Sequence, residues 1–443
     1  MTDLVVHPLE KALVGSVPVP SDKSIGHRAI ILASLCVGVS NLRGFSSGED
    51  NLATANAMRA LGAKVDTAGP GELRITGAGL MGLRPSSSTI DCGSSVTAMS
   101  LLAGVLSGQD FATTLAGSAS LTATPMMRVV GPLRARGAVI EGAPHPTHGG
   151  ELVAPLVVGP LPEGRELGPL EHVSPTPSAQ VKGAVLLSGL YAHGTTWFKE
   201  PALSRDHTER MLHALGVPLR TVGTMIELEP AGWDGKLPAF DMAIPGDVSA
   251  GAFLLAAAQL HPGSRVTVRG VGVNPTRTGL FEIARHMGAG LEIVPQGEQG
   301  GEPVAEVTAW HQSLRGRSIS GEVVPRAAGE LALACALAAR AVGTTTIRDT
   351  NESGRIAAMV GVLRAFGITC EELPDGLVIE GREAPLEPAR IESRGDHRIA
   401  MTAAVLALGG RGPSTIVDCD CIGASFPRFV GTLRALGARI DAA

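Results

Sequence analysis

Met58-Arg59-Ala60-Leu61-Gly62-Ala63 is the stretch from which the fold can be read, because it recurs. Close variants stand at Leu133 to Ala138, Leu212 to Val217, Ala284 to Ala289, Leu363 to Ile368 and Leu433 to Ala438. The glycines Gly62, Gly137, Gly216, Gly288, Gly367 and Gly437 step by 75, 79, 72, 79 and 70 residues. A glycine just past an amphipathic run suits a left-handed helix cap, and the β-prone residues that follow, such as Val65 or Val139-Ile140, predict a returning strand. Six copies at a fixed period make a repeat architecture.

Ahead of each of these signatures lies a polar start that opens an apolar helix. The six starts are Asp22-Lys23-Ser24, Gly93-Ser94-Ser95, Ser178-Ala179-Gln180, Asp247-Val248-Ser249, Gly329-Glu330 and Asp396-His397-Arg398. The helices that follow, such as Val181 to Leu190 and Ala250 to Leu260, are apolar on all sides and are therefore expected to be buried. Each repeat then reads as strand, buried helix, strand, amphipathic helix, strand. Buried helices whose polar N-termini share one face would form an electropositive focus made largely of backbone. The strongest start is Ser21 to Arg28, where Ser21 or Asp22 can cap the helix while Lys23 and Arg28 add fixed charge.

Composition limits the alternatives. The 443 residues allow two or three domains, aromatic residues make up only 3%, and no apolar run approaches the ~20 residues of a membrane helix. A net charge of -5 with mixed signs argues against a nucleic-acid surface. No basic region followed by an apolar core opens the chain, so a cytoplasmic location is expected. The six cysteines are scattered, which predicts reduced thiols. Asp418-Cys419-Asp420-Cys421 lacks a matching partner elsewhere and is read as a turn before a metal site. Gly142 to Gly168 reads as a loop with short strands.

Several stretches together are similar to the 5-enolpyruvylshikimate-3-phosphate (EPSP) synthase family over nearly the full length. They are Asp22 to Arg28, Ser178 to Lys182, Ser204 to Arg210, Ile244 to Asp247, Asn274 to Gly279, Gly321 to Pro325 and Gly395 to Met401. The resemblance implies an α/β fold of two domains, each of three repeated α/β units, the inside-out α/β barrel of the enolpyruvyl transferases. The domains would be 22–246 and 1–21 plus 247–443. It implies a small-molecule substrate, no cofactor and no metal, and says nothing about oligomeric state.

Residue by residue, the resemblance assigns shikimate 3-phosphate to Lys23, Ser24, Arg28, Thr97, Ser178, Gln180 and Arg205. Hydroxyls, amides and a cation at a helix start suit a phosphate, and an arginine fork suits a ring carboxylate. The half expected to take phosphoenolpyruvate departs from the family pattern. Val96 and Ser100 replace a glycine and an arginine, Thr124 another arginine, and Ala424 a lysine. Gly329 replaces an aspartate expected to move protons, and Asn351 replaces the lysine beside Glu352. Arg355 and Arg398 remain as donor partners, and Lys23, Glu352 and His27 as candidate bases, of which Lys23 and Glu352 lead.

Each lost charged contact is worth about 1.5–3 kcal/mol. The asymmetry therefore puts first an enzyme acting on shikimate 3-phosphate without phosphoenolpyruvate, a lyase eliminating phosphate to a cyclohexadiene carboxylate. The alternatives are a working carboxyvinyl transferase, with Arg128, Lys182 or Arg326 compensating, and a non-catalytic binding protein for the phosphorylated metabolite.

Overall fold

The computed structural model describes residues 2–45, 48–350 and 353–442. The chain divides into two units. One, called inner only because its sequence is flanked by the other's, is Ser21–Pro245 with Glu298–Glu302, and the second, called outer, is Met1–Pro20, Gly246–Gly297 and Pro303–Ala443. The five residues Glu298–Glu302, the turn of the hairpin Gly290–Gln299/Glu302–Trp310, count with the inner unit, which the repeat pattern does not foresee.

Among the described residues there are six four-stranded sheets, matching the six repeats. In the sheet formed by Ile90–Asp91, Thr113–Ala116, Leu152–Val158 and Ile140–Pro144, the first pair is parallel and the other two pairs are antiparallel. Parallel neighbours need a long crossover, and the buried helix Val96–Leu106 supplies it. Five of the six repeats thus end in a two-stranded hairpin where the sequence reading expects one strand, and in the sixth Ile440–Ala442 pairs with Leu4–Val6 instead. Strands such as Glu72–Ala78 alternate buried and exposed residues and are held by partners on both edges, Val37–Arg43 and Lys64–Gly69, so their signal in the sequence alone is weak. Leu152–Val158 is a full strand inside the stretch expected to be mostly loop.

Three sheets borrow a strand from elsewhere in the chain. In the inner unit Asp241–Ala243 lies parallel to Val37–Arg43. In the outer unit Leu4–Val6 lies between Ser414–Val417 and Ile440–Ala442, pairing antiparallel with both. The strand Val14–Pro18, just before the first buried helix, instead pairs with Arg265–Gly272.

The six repeated glycines all have positive φ, from +77° to +114°. The residue after each donates its N–H to the carbonyl of the first residue of the signature, at 2.9–3.1 Å, which is the Schellman closure. The signature's arginine has its own reason. Arg59, Arg134, Arg364 and Arg434 each donate to the carbonyl six residues ahead, at Val65, Ile140, Cys370 and Ile440, tying the helix end to the returning strand.

The polar starts cap as their chemistry demands. Asp22, Ser95, Ser178, Asp247 and Asp396 accept hydrogen bonds from first-turn amides through their side chains. The sixth helix, Leu331–Ala339, begins from a 3-10 turn without a side-chain cap. All six helices are buried beyond their first residues. Small residues allow close crossing: a Cβ on Gly104 would stand 2.5 Å from the Ala184 carbonyl oxygen of the neighbouring helix.

Candidate functional site

In the inner unit the starts of the three buried helices are bonded to one another. Arg28 is 2% exposed and donates Nε to Thr208 Oγ1 at 2.7 Å, Nη1 to the Ser24 carbonyl at 3.0 Å and Nη2 to the Ala179 carbonyl at 3.3 Å. Its guanidinium thus braces Lys23–Leu35 against Ala179–Gly189 and His207–Ala214. Gln180 Nε2 donates to Thr97 Oγ1 at 3.5 Å. Buried His27 lies between Thr54 Oγ1 at 2.7 Å and Ser95 Oγ at 3.1 Å.

Lys23 is half exposed at the same helix start, its Nζ 2.6 Å from Asp50 Oδ2. Arg205 is half-buried in the loop before His207. Ser178 caps its helix by accepting from the Val181 N–H at 3.3 Å. The seven residues assigned to the acceptor therefore lie on helix starts and a loop of one unit.

Beneath them is a layer that sequence reasoning missed. Lys182, Glu200 and Glu209 form a buried ionic trio, with Lys182 Nζ 2.7 Å from Glu200 Oε1 and 2.8 Å from Glu209 Oε1. Burial works against the Lys182 ammonium, but Glu209 and Glu200 outweigh it and raise its pKa. At Glu209 burial prevails over the lysine, and the carboxyl titrates above the usual range. Lys182 is therefore no substitute cation for a second anion; it is consumed by two carboxylates, correcting the compensating role weighed from the sequence. Ser204 Oγ, beside Arg205, is buried with no hydrogen-bond partner among the described residues. Only the polarity of Ser204 to Arg210 signals this layer, since the apolar helix face around Lys182 reads as plain core.

Two of the substituted donor positions spend their hydroxyls on backbone carbonyls of their own segment. Ser100 is fully buried and its hydroxyl donates to the Val96 carbonyl at 2.7 Å. The Thr124 hydroxyl donates to the Ser120 carbonyl at 3.0 Å. Arg128 is exposed and bonds Thr176.

In the outer unit, Arg355 Nε donates to Asp396 Oδ2 at 3.3 Å. Burial opposes the Asp396 charge, yet the Arg398 N–H and Arg355 hold its pKa below the usual carboxylate range. Arg355, Arg390, Arg394 and Asp396 line a cavity of about 620 Å³. Arg398 is half-buried in the first turn of His397–Ala407. Arg326 forks onto Glu282, so it too is engaged. Glu352 lies outside the described residues. Arg277, missed in the sequence, donates Nη2 to Asp247 Oδ1 at 3.0 Å and Ser249 Oγ at 2.7 Å, while Ser249 in turn bonds Glu330.

Among the described residues no group of three or more His, Cys, Asp or Glu side chains is gathered as metal ligands. Cys419 in the Asp418 to Cys421 stretch is buried in a 3-10 turn, its thiol pushed up to about 12 by burial. No described helix is long and apolar enough to cross a membrane.

The sequence matches the EPSP synthase (3-phosphoshikimate 1-carboxyvinyltransferase) family over residues 9–433. It is 45% identical over 438 residues to the 3-phosphoshikimate 1-carboxyvinyltransferase of Geobacter metallireducens, covering 97% of this chain and 98% of that protein. Its identity to the protein of the same name in Acidithiobacillus ferrooxidans is 44% over 448 residues, covering 100% of both. The structure superposes on EPSP synthase from Acinetobacter baumannii with a TM-score of 0.91 and 37% identity, covering 100% of both chains. With the family matched over nearly the whole chain and relatives aligned end to end, the chain belongs to the EPSP synthase family.

Proposed function

We propose that the protein transfers the carboxyvinyl group of phosphoenolpyruvate to a hydroxyl of shikimate 3-phosphate, releasing inorganic phosphate. The observation that carries this reading is the end-to-end identity of 45% to proteins named for that reaction. It reverses the order in which the sequence alone ranks transfer and elimination.

Lys23, Ser24, Thr97, Ser178, Gln180 and Arg205 would hold the acceptor, with Arg28 fixing the helix starts that carry them. The unpartnered Ser204 hydroxyl supports an oxyanion there, because a buried polar group left unbonded costs about 1–3 kcal/mol. Arg355 and Arg398 would take the donor's anionic groups. Transfer requires one proton to leave the acceptor hydroxyl, and one to enter and later leave the donor methylene carbon. Lys23 and Glu352 are the groups proposed for this traffic.

A second reading, phosphate elimination from shikimate 3-phosphate alone, is favoured by one observation. Ser100 and Thr124, at the positions of two expected arginines, spend their hydroxyls on backbone carbonyls. Phosphorus NMR of purified protein with shikimate 3-phosphate, with and without phosphoenolpyruvate, separates the two. Transfer predicts an enolpyruvyl ether and inorganic phosphate only when both substrates are present. Phosphate and diene absorbance without phosphoenolpyruvate would replace it with elimination, and tight acceptor binding without turnover would overturn both.

A further inference from the structure

Glu200, immediately after the strand Thr196–Lys199, is 1% exposed, and its carboxylate joins two stretches that carry site residues. Oε2 accepts the Ser178 N–H at 3.3 Å, at the start of the helix bearing Gln180. Oε1 accepts the Ser204 N–H at 2.9 Å, one residue before Arg205, together with Lys182 Nζ at 2.7 Å. Lys182 also donates to the Ser204 carbonyl at 3.3 Å, so Ser204 is held by both of its backbone polar groups.

We propose that Glu200 is a positioning residue for the acceptor: it sets Ser178 and Gln180 at a fixed distance from Ser204 and Arg205. A buried ion trio is a poor way to gain stability, since apolar groups of equal volume commonly do as well or better. What a carboxylate adds is direction: bonds from two amides and an ammonium define where two separate segments stand. A ligand gripped at both ends by a preset frame does not have to order that frame as it binds.

Glu209 provides the internal control. It shares Lys182 and is 5% exposed, but it sits on the helix His207–Ala214 and takes no hydrogen bond from Ser178 or Ser204. Generic burial predicts the same outcome for both glutamates, and positioning predicts a split.

The assignment of the ligand rests on the function proposed above; the geometric claim does not. In ligand-free full-length protein, Glu200→Gln should speed amide hydrogen exchange at Ser178 and Ser204 by about 10-fold or more, and Glu209→Gln by less than about 2-fold. In turnover, Glu200→Gln should raise KM for shikimate 3-phosphate about 10-fold, with kcat and the KM for phosphoenolpyruvate within about 3-fold of wild type. Should Glu200→Gln not fold, Glu200→Asp keeps the charge, lengthens both amide bonds and should shift the same quantities in the same direction. Equal exchange at Ser178 and Ser204 in the two glutamate variants would overturn the proposal. An exchange split in a protein that ignores shikimate 3-phosphate would instead overturn the functional reading.

Discussion

His27 stays neutral because it is sealed between Thr54 and Ser95 at the start of its helix. Burial, with Lys23 and Arg28 nearby, outweighs the pull of Asp50 and lowers its pKa to about 3. In the unfolded chain the same imidazole takes up a proton near pH 6.5, so the unfolded state binds more protons as the pH falls from 6.5 towards 3. Stability present above pH 6.5 is lost through that window, by about 2 kcal/mol between pH 7.5 and 5 from this one group. Urea unfolding at the two pH values should show that loss, and His27→Asn should flatten the slope even though it lowers stability at pH 7.5. An unchanged slope in the variant would assign the acid sensitivity elsewhere. His261, buried in the outer unit, is lowered to about 4 for the same first reason and adds a second contribution of the same sign.

The helix ends carry their reasons in the sequence, and they can be tested with paired glycines. Gly216 has φ of +80° and an added Cβ would meet nothing within 4 Å, so Gly216→Ala carries backbone strain alone and should destabilise by about 1 kcal/mol. Gly361, on the exposed side of Ser353–Ala365, is equally open but helical, so Gly361→Ala should stabilise by about 0.5–1 kcal/mol. Thermal unfolding should give opposite signs, and the same sign for both would refute the assignment. These ends were legible because a left-handed cap needs one residue type at one position, and a buried helix needs an uninterrupted apolar run. The second strand of each hairpin was not, because strand preference depends on partners that lie elsewhere in the chain. The arginines at 59, 134, 364 and 434 were visible as a pattern, but their carbonyl partners were not.

For the whole molecule, the candidate site was legible as a set of helix starts and illegible as a framework. Motifs name Ser178 and Arg205, but nothing local to either shows that Glu200 bonds the backbone of Ser178 and of Ser204. Nor does the sequence show that Lys182 is spent on two carboxylates. The pairing of Leu4–Val6 with Ile440–Ala442 brings the two ends of the chain side by side. A circular permutant joining residues 443 and 1 through a short Gly/Ser linker, opened between exposed Gly149 and Gly150, should keep its melting temperature within about 5 °C and retain turnover. Loss of the fold would show that the terminal pairing does not tolerate covalent closure. The same strand has a consequence for biosynthesis. Leu4–Val6 leaves the ribosome well ahead of both of its neighbours, Ser414–Val417 and Ile440–Ala442. At ordinary translation speeds it must wait on the order of tens of seconds, an unpaired apolar segment on a nascent chain in which Ser21–Pro245 has already been made.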